Sequence, residues 1–183
     1  MSEFRVANRY AKSLIDLSKE QNSLDVVFND MKTFLDVMSK SPELEKMFKS
    51  PLVHGDKKMS VMNLLFGKVF HKNTIAFFDI IIRKNREYHL KAIAKAFVEQ
   101  YNLLNNVAIA SVKTATAIDQ QMLDEIKSFI EKQTGKKIEI KFQVDPDLIG
   151  GLVVQMDDKL FDASISGKLQ KIKNDLLNSY ISK

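Results

Sequence analysis

The stretch DPDLIGGLVVQMDDKLFDASISGKLQKI, residues 145–172, decides how the second half of this chain folds. It opens on a turn-forming Asp-Pro-Asp, crosses the adjacent Gly150 and Gly151, and continues as two strand-like runs, LVVQM and KLFDASI. Their junction at Asp157-Asp158 predicts a tight hairpin, because short acidic residues tolerate turn geometry. The glycines and the later Ser-Gly-Lys invite comparison with a phosphate cradle. A P-loop needs a glycine five residues before its Gly-Lys pair and a hydroxyl residue after it. Those places hold Asp162 and Leu169. A dinucleotide fingerprint opens a helix after a strand, whereas Gly150 and Gly151 precede one. Their role is therefore structural: without Cβ atoms they take positive φ, form a bulge, or let another backbone come close.

Working upstream, KIEIKFQV at 137–144 alternates along its length. Ile138, Ile140, Phe142 and Val144 share one face, and Lys137, Glu139, Lys141 and Gln143 the other, the period of a half-buried strand. The run VAIASVKTA from Val107 reads as another strand. Between the two, Met122, Ile126, Phe129 and Ile130 mark a helix begun by Asp119 and stopped by Gly135. A last helix carries Leu169, Ile172, Leu176, Leu177 and Tyr180, and either packs on the sheet or extends from it. The expectation for 106–183 is a small α+β domain.

Before Asn105-Asn106 the period is helical. Val6, Tyr10, Leu14 and Leu17 form one stripe. Leu24, Val27, Phe28, Met31, Leu35 and Met38 form a second, with Ser23 as its cap. Ser41-Pro42 begins a short third helix with Leu44, Met47 and Phe48, ended by Ser50-Pro51. A fourth runs through Met59, Met62, Leu65, Phe66 and Val69. The fifth, TIAFFDIIIRK, is apolar on nearly all sides, so it is central or has a second face awaiting a partner. The sixth carries Leu90, Ile93, Ala94, Phe97, Tyr101 and Leu104. The predicted fold class is mainly α: a six-helix N-terminal bundle over 1–105, then the α+β domain.

Composition narrows function. The 183 residues include no cysteine, which removes thiolate metal sites, thiol nucleophiles and redox pairs and fits a reducing compartment. The formal charge of +5 comes from residues 1–105, with 17 Lys/Arg against 12 Asp/Glu, while the remainder balances at 11 against 11. These lysines are scattered among acids, the pattern of a solvated helical surface; a basic nucleic-acid-binding module is the alternative reading. No apolar run approaches the length of a membrane span, and the first residues lack the order of a secretory signal. His54, His71 and His89 have no second ligand at helical spacing, so no metal site is expected. Asp145, Asp147, Asp157, Asp158 and Asp162 lack calcium-loop spacing and read as turn formers. Ser164 and Ser166 have no neighbouring base. No catalytic residue and no cofactor are expected.

Four stretches in order carry a resemblance: RYAKSLIDLSKE at 9–20, SPLVHGDKKMSVMNLL at 50–65, FFDIIIRKNREYHLKAIAKAF at 77–97, and the stretch at 145–172. Together they resemble the delta subunit family of the F-type ATP synthase, the bacterial counterpart of the oligomycin sensitivity-conferring protein. Glu87-Tyr88 departs from the Arg-Leu pair more usual there. The resemblance implies a stator subunit without an active site. Its helical part would grip the N-terminal helix of an alpha subunit and its C-terminal part the peripheral-stalk b subunits, holding the catalytic hexamer against rotor torque. It implies a groove between the first and fifth helices, with Tyr10, Ser13 and Leu14 on one wall, Ile75, Phe78, Ile81 and Ile82 on the other, and Phe28 close by. Leu14, Phe78 and Ile82 would equally suit a core. A monomer in isolation is implied, bound peripherally at the cytoplasmic face of the bacterial inner membrane.

Overall fold

A computed structural model describes residues 3–156 and 158–181, with the side chains of residues 176 and 178–181 outside that description. Asp157 and the side chains of Leu176 and Tyr180, assigned above to the hairpin turn and the last helix, therefore lie outside the described residues. The chain is mainly helical with a small C-terminal sheet of four strands, and it divides into two compact units, Met1–Leu104 and Asn105–Lys183.

The first unit contains α1 (Glu3–Glu20), α2 (Leu24–Lys40), α3 (Pro42–Lys49), α4 (Gly55–Phe66), α5 (Lys72–Arg83), a 3-10 turn (Glu87–His89) and α6 (Leu90–Leu104). Each helix turns an apolar stripe inward, although Leu17 of α1 and Leu104 of α6, placed on their stripes by spacing, stay exposed. α1 turns Val6, Ala7, Ala11, Leu14 and Ile15 inward, and α2 turns Val27, Met31, Phe34 and Met38 inward. Phe34 is the hub: its ring lies 5.8 Å from that of Phe66 on α4 and 4.9 Å from that of Phe78 on α5. Such tilted and edge contacts suit the aromatic quadrupole. Polar bonds then fix the start of α5. Asp30 Oδ2 accepts the His71 backbone N–H at 2.8 Å and the Thr74 hydroxyl at 2.6 Å. Asn73 Nδ2 donates to Gln21 Oε1 at 2.5 Å and Ser23 Oγ at 3.1 Å.

Local details differ from the sequence reading. Neither Ser23 nor Ser41 caps its helix through its hydroxyl; Ser23 spends it on Asn73 instead. α4 stops at Phe66, before Val69, and Leu65 and Val69 face solvent. Gly67 follows that last turn, and the chain must reverse there to place Phe70 against Phe66, whose rings stack at 4.5 Å.

The second unit runs β1 (Val107–Thr114), α7 (Gln120–Thr134), β2 (Lys137–Val144), β3 (Leu152–Met156), β4 (Lys159–Asp162) and α8 (Ile165–Ile181), with a 3-10 turn at Pro146–Leu148. Strand order is β2-β1-β3-β4; β1 and β2 are parallel, and the other pairs antiparallel. Asp119 Oδ1 accepts the Met122 N–H at 2.8 Å to start α7, and Gly135 at φ +67° ends it. Register puts Phe142, Val112, Val154 and Phe161 in one row on one face. α7 covers part of that face, where Ile126 and Ile130 pack on Ala108, Ala110 and Ile138. Cover fails along β2: Ile138 is buried, Ile140 intermediate, and Phe142 and Val144 exposed. The half-buried strand expected from its alternation is thus buried only at its beginning.

The two glycines sit where β3 begins and β4 departs. Gly151 adopts φ +79°, and a Cβ there would collide with the carbonyl oxygen of Ala163. Gly150 keeps negative φ, and its own Cβ would stand 2.7 Å from Ile165 Cδ1. Gly151 thus takes the positive φ the sequence suggested, and a second such residue precedes the pair: Ile149 has φ +64°, and Gly150 N donates to Leu148 O at 2.7 Å. A β-branched residue there is strained. Ala163 N to Leu152 O and Ile165 N to Gly150 O, both 2.9 Å, close the clasp. Ser164 Oγ accepts the Gly167 N–H at 2.9 Å to cap α8.

Gly151→Ala is expected to lower stability of the second unit by about 1–3 kcal/mol, since it combines backbone strain with a backbone collision. Gly135→Ala, strained but with open space around it, is expected to cost less. Native-state hydrogen exchange, read separately for the two units, checks the ranking.

Candidate interaction surfaces

An apolar groove of about 870 Å³ lies in the second unit, between α7 and the β3–β4 hairpin. Ile126, Phe129 and Ile130 line one side, and Val154, Leu160 and Phe161 the other, with Glu125 and Lys159 as its charged residues. Phe129 and Phe161 are each 63% exposed and Leu160 65%. Aromatic side chains of this size are seldom left bare together unless something covers them. α8 adds a second bare stripe: Leu169, Ile172 and Leu177 are all more than half exposed, and none of its described side chains is buried except at the clasp residue Ser164 just before it.

The residues implied as walls of a groove between α1 and α5 are not brought together as one open surface. Leu14, Phe78, Ile81 and Ile82 are 0–3% exposed and belong to the core around Phe34. Their placement on a vacant wall is corrected, because the chain's own side chains already fill the space beside them. Phe28 looks the other way, stacked on Tyr101 of α6 with ring centroids 3.8 Å apart. Ser13 is exposed, but its hydroxyl donates to Arg9 O at 2.9 Å within α1. Tyr10 is half-buried beneath the Arg9 guanidinium. Ile75 is half-buried and lines a shallow cleft with Met59, Asn63, Asp79 and Arg83 of α4 and α5. Sequence spacing marks a helix face as apolar without saying whether the fold or a partner covers it, and here the fold covers most of it.

Electrostatics in the first unit are structural. Lys58, 1% exposed, reaches Glu87 Oε1 at 2.6 Å, so the unusual Glu87 holds α4 to the 3-10 turn. Glu45 bonds both Lys49, at 2.8 Å, and Lys91. These two ammonium groups, Lys49 foremost, hold its carboxyl at about 2, well below its ordinary 4.5. Tyr101 donates to Asp25 at 2.6 Å; that bond, then burial, pushes its hydroxyl up to about 12. The histidines are dispersed: His54 lines an α4–α5 cleft, His71 Nδ1 accepts the Asn73 N–H at 3.3 Å, and His89 stands 3.6 Å from Glu3. Among the described residues no three His, Asp or Glu side chains converge as a metal site, and no helix is long and apolar enough to cross a membrane.

The family profile described as ATP synthase delta (OSCP) subunit matches residues 6–176. The chain belongs to the ATP synthase delta (OSCP) subunit family. It is 35% identical over 182 residues to "ATP synthase subunit delta" of Cytophaga hutchinsonii, covering all of both chains. To the protein of that name from Christiangramia forsetii it is 34% identical, covering 98% of this chain and 97% of that one. A chain of the Toxoplasma gondii mitochondrial ATP synthase hexamer shares the fold with a TM-score of 0.72 at 20% identity, over 93% of this chain and 97% of that one. As a delta (OSCP) subunit the chain is a stator component of the ATP synthase peripheral stalk. Nothing in these likenesses supports the nucleic-acid alternative.

The depressed Glu45 carboxyl gives a pH prediction for this delta-family chain. A folded-state value below the unfolded one stabilises above about pH 4.5, and that stability is lost as pH falls through about 2. Denaturation midpoints for Glu45→Gln are expected to fall less steeply than wild type across that window, and to lie below wild type at neutral pH.

Proposed function

We propose that this chain is a non-catalytic mechanical link, with its helical unit attached to the catalytic sector through the N-terminal helix of an alpha subunit and its C-terminal unit attached to the b subunits of the stalk. In this reading residues 1–105 form the bundle that seats on the catalytic hexamer and residues 106–183 the stalk-facing domain. It works at the cytoplasmic face of a bacterial inner membrane, held there through the complex, and makes or breaks no bond itself. The observation that carries the proposal is the uncovered groove between α7 and the β3–β4 hairpin. A chain that worked alone would gain by burying it, at roughly 25 cal/mol for each Å² of apolar surface. An amphipathic helix laid in such a groove is held by anchors at i, i+3, i+4 and i+7.

For the alpha-subunit contact, the residues with accessible surface are Tyr10, Ser13 and Ile75. Tyr10 and Ser13 lie on α1 and Ile75 in the cleft of α4 and α5, while Leu14, Phe78, Ile81 and Ile82 belong to the core. Ser13 is small enough to admit a backbone, and a tyrosine such as Tyr10 can bury its ring against a partner while its hydroxyl stays in water. A few central anchors carry most of the affinity at such contacts, about 2 kcal/mol each.

Ile75→Asp is expected to leave the helical content unchanged and to weaken calorimetric binding of an alpha N-terminal peptide about thirtyfold, the equivalent of about 2 kcal/mol. Ile81→Asp is expected to unfold the first unit. Unchanged binding by Ile75→Asp sinks this assignment of the alpha contact. Phe129→Asp is expected to retain binding to the soluble catalytic sector while failing to restore proton-driven ATP synthesis in membranes depleted of this subunit. Full restoration removes the groove from the stalk contact.

A further inference from the structure

We propose that α4 carries a further docking face of the helical unit, one that takes an amphipathic helix edged with acidic residues from a neighbouring subunit of the assembled synthase. It stands apart from the groove of the second unit and from the Ile75 cleft, and depends on neither contact. α4 is apolar on two sides. Lys58, Met62 and Phe66 are buried against the bundle. On the opposite side Val61 is half-buried and Leu64 is 84% exposed, with Leu65 partly bare beside them and Val69, 71% exposed, just past the helix end. Single apolar side chains on a surface are ordinary, but a helix with one inward stripe has no need of an outward row at helical spacing. The cleft shared with α5 uses Met59, Asn63 and Gly67. These lie about a third of a turn round the helix from Val61 and Leu64, so the outward row is a separate surface.

Charge selects the occupant. Lys57, Val61, Leu64 and Lys68 follow one another at steps of four, three and four, a line about 16 Å long. Gly67 keeps helical dihedrals and Phe70 N donates to Phe66 O at 2.8 Å, so the winding carries through Lys68. Both lysines are exposed, and neither meets an acidic partner among the described residues. No Asp or Glu occurs between Asp56 and Asp79, so nothing in this segment offsets them. A second copy laid on this face, parallel or antiparallel, would set lysine against lysine, which is destabilising. The helix that fits carries an acid, an apolar residue four positions on, another three further, and a second acid four beyond that. This order is the same in both directions, so either orientation docks. The row is about one side chain wide, the shape of a helix–helix seam rather than of a broad face laid on lipid.

The test takes the full chain and a synthetic helix of alanine and glutamine with Glu, Leu, Leu and Glu at those steps, beside a second in which both Glu are Lys. In calorimetry the acidic helix is expected to bind saturably and the lysine helix about tenfold more weakly. Leu64→Asp, at a site open to water, is expected to keep the helical content and to weaken the acidic helix about tenfold. Lys57→Glu with Lys68→Glu is expected to reverse the order of the two helices. Equal binding of both helices, or indifference to Leu64→Asp, overturns the docking face. Leu64-dependent binding of phosphatidylglycerol vesicles in place of the acidic helix overturns it in favour of a lipid surface, and a dimer abolished by Leu64→Asp overturns it in favour of self-association. The chain has no cysteine, so Ser60→Cys, at the edge of the row, takes a benzophenone label cleanly. In the assembled enzyme, light is expected to join it to a segment of another subunit with the acidic spacing. Joining to a segment without that spacing, or to none, overturns the assignment to the synthase. Neither Phe129 nor Ile75 is altered in any of these variants, so the stalk and alpha contacts are judged separately.

Discussion

Phe34 holds the helical unit together. Its ring sits between those of Phe66 and Phe78, at 5.8 and 4.9 Å, and so joins α2, α4 and α5 at one point. Around it Leu14, Ile81, Leu90, Ile93 and Phe97 are almost wholly removed from water. Close packing of this kind resists deformation, because displacing one side chain opens a void or forces a clash. A subunit that must transmit force without yielding needs such a core. The Asp30 bonds to His71 and Thr74 add direction to it, fixing where α5 starts relative to α2.

The second unit is built on the opposite principle. Its buried cluster is small, centred on Ala108, Ala110, Ile130 and Ile138, and much of its apolar surface faces outward. Alanines on β1 let α7 come close but contribute little burial themselves. A domain that keeps so little for itself would gain stability from any partner that bound it, by the mass-action relation between ligand and folded state. The contrast between a well-buried unit and a sparsely buried one fits the link proposed above.

Much of this was legible in the chain. The strict alternation at 137–144, the cap at Asp119 and the stop at Gly135 marked the β-α-β segment, because each rests on local geometry. The apolar stripes of α1, α2 and α6 were legible in outline for the same reason, although Leu17 and Leu104 are exposed and Phe34, the centre of the core, lies outside the stripe read for α2. What failed was the question of who covers an apolar face. TIAFFDIIIRK is apolar around its girth whether its neighbours come from the same chain or another, and Phe78 and Ile81 turned out to be core. The same ambiguity hid the bare end of β2, where Phe142 alternates correctly yet is exposed. The left-handed conformation at Ile149 had no sequence signal, since a β-branched residue is the last choice for it. The cap serines misled because a hydroxyl near a helix start has other suitors, here Asn73.

The Lys58–Glu87 pair constrains how this chain can diverge. An ammonium removed almost entirely from water is tolerable only while its carboxylate stands opposite, and losing either leaves a stranded charge at a cost of about 3–5 kcal/mol. The two positions lie 29 residues apart, so neither drifts alone. Descendants of this sequence must exchange them together, for instance as a Met–Leu couple, or keep both.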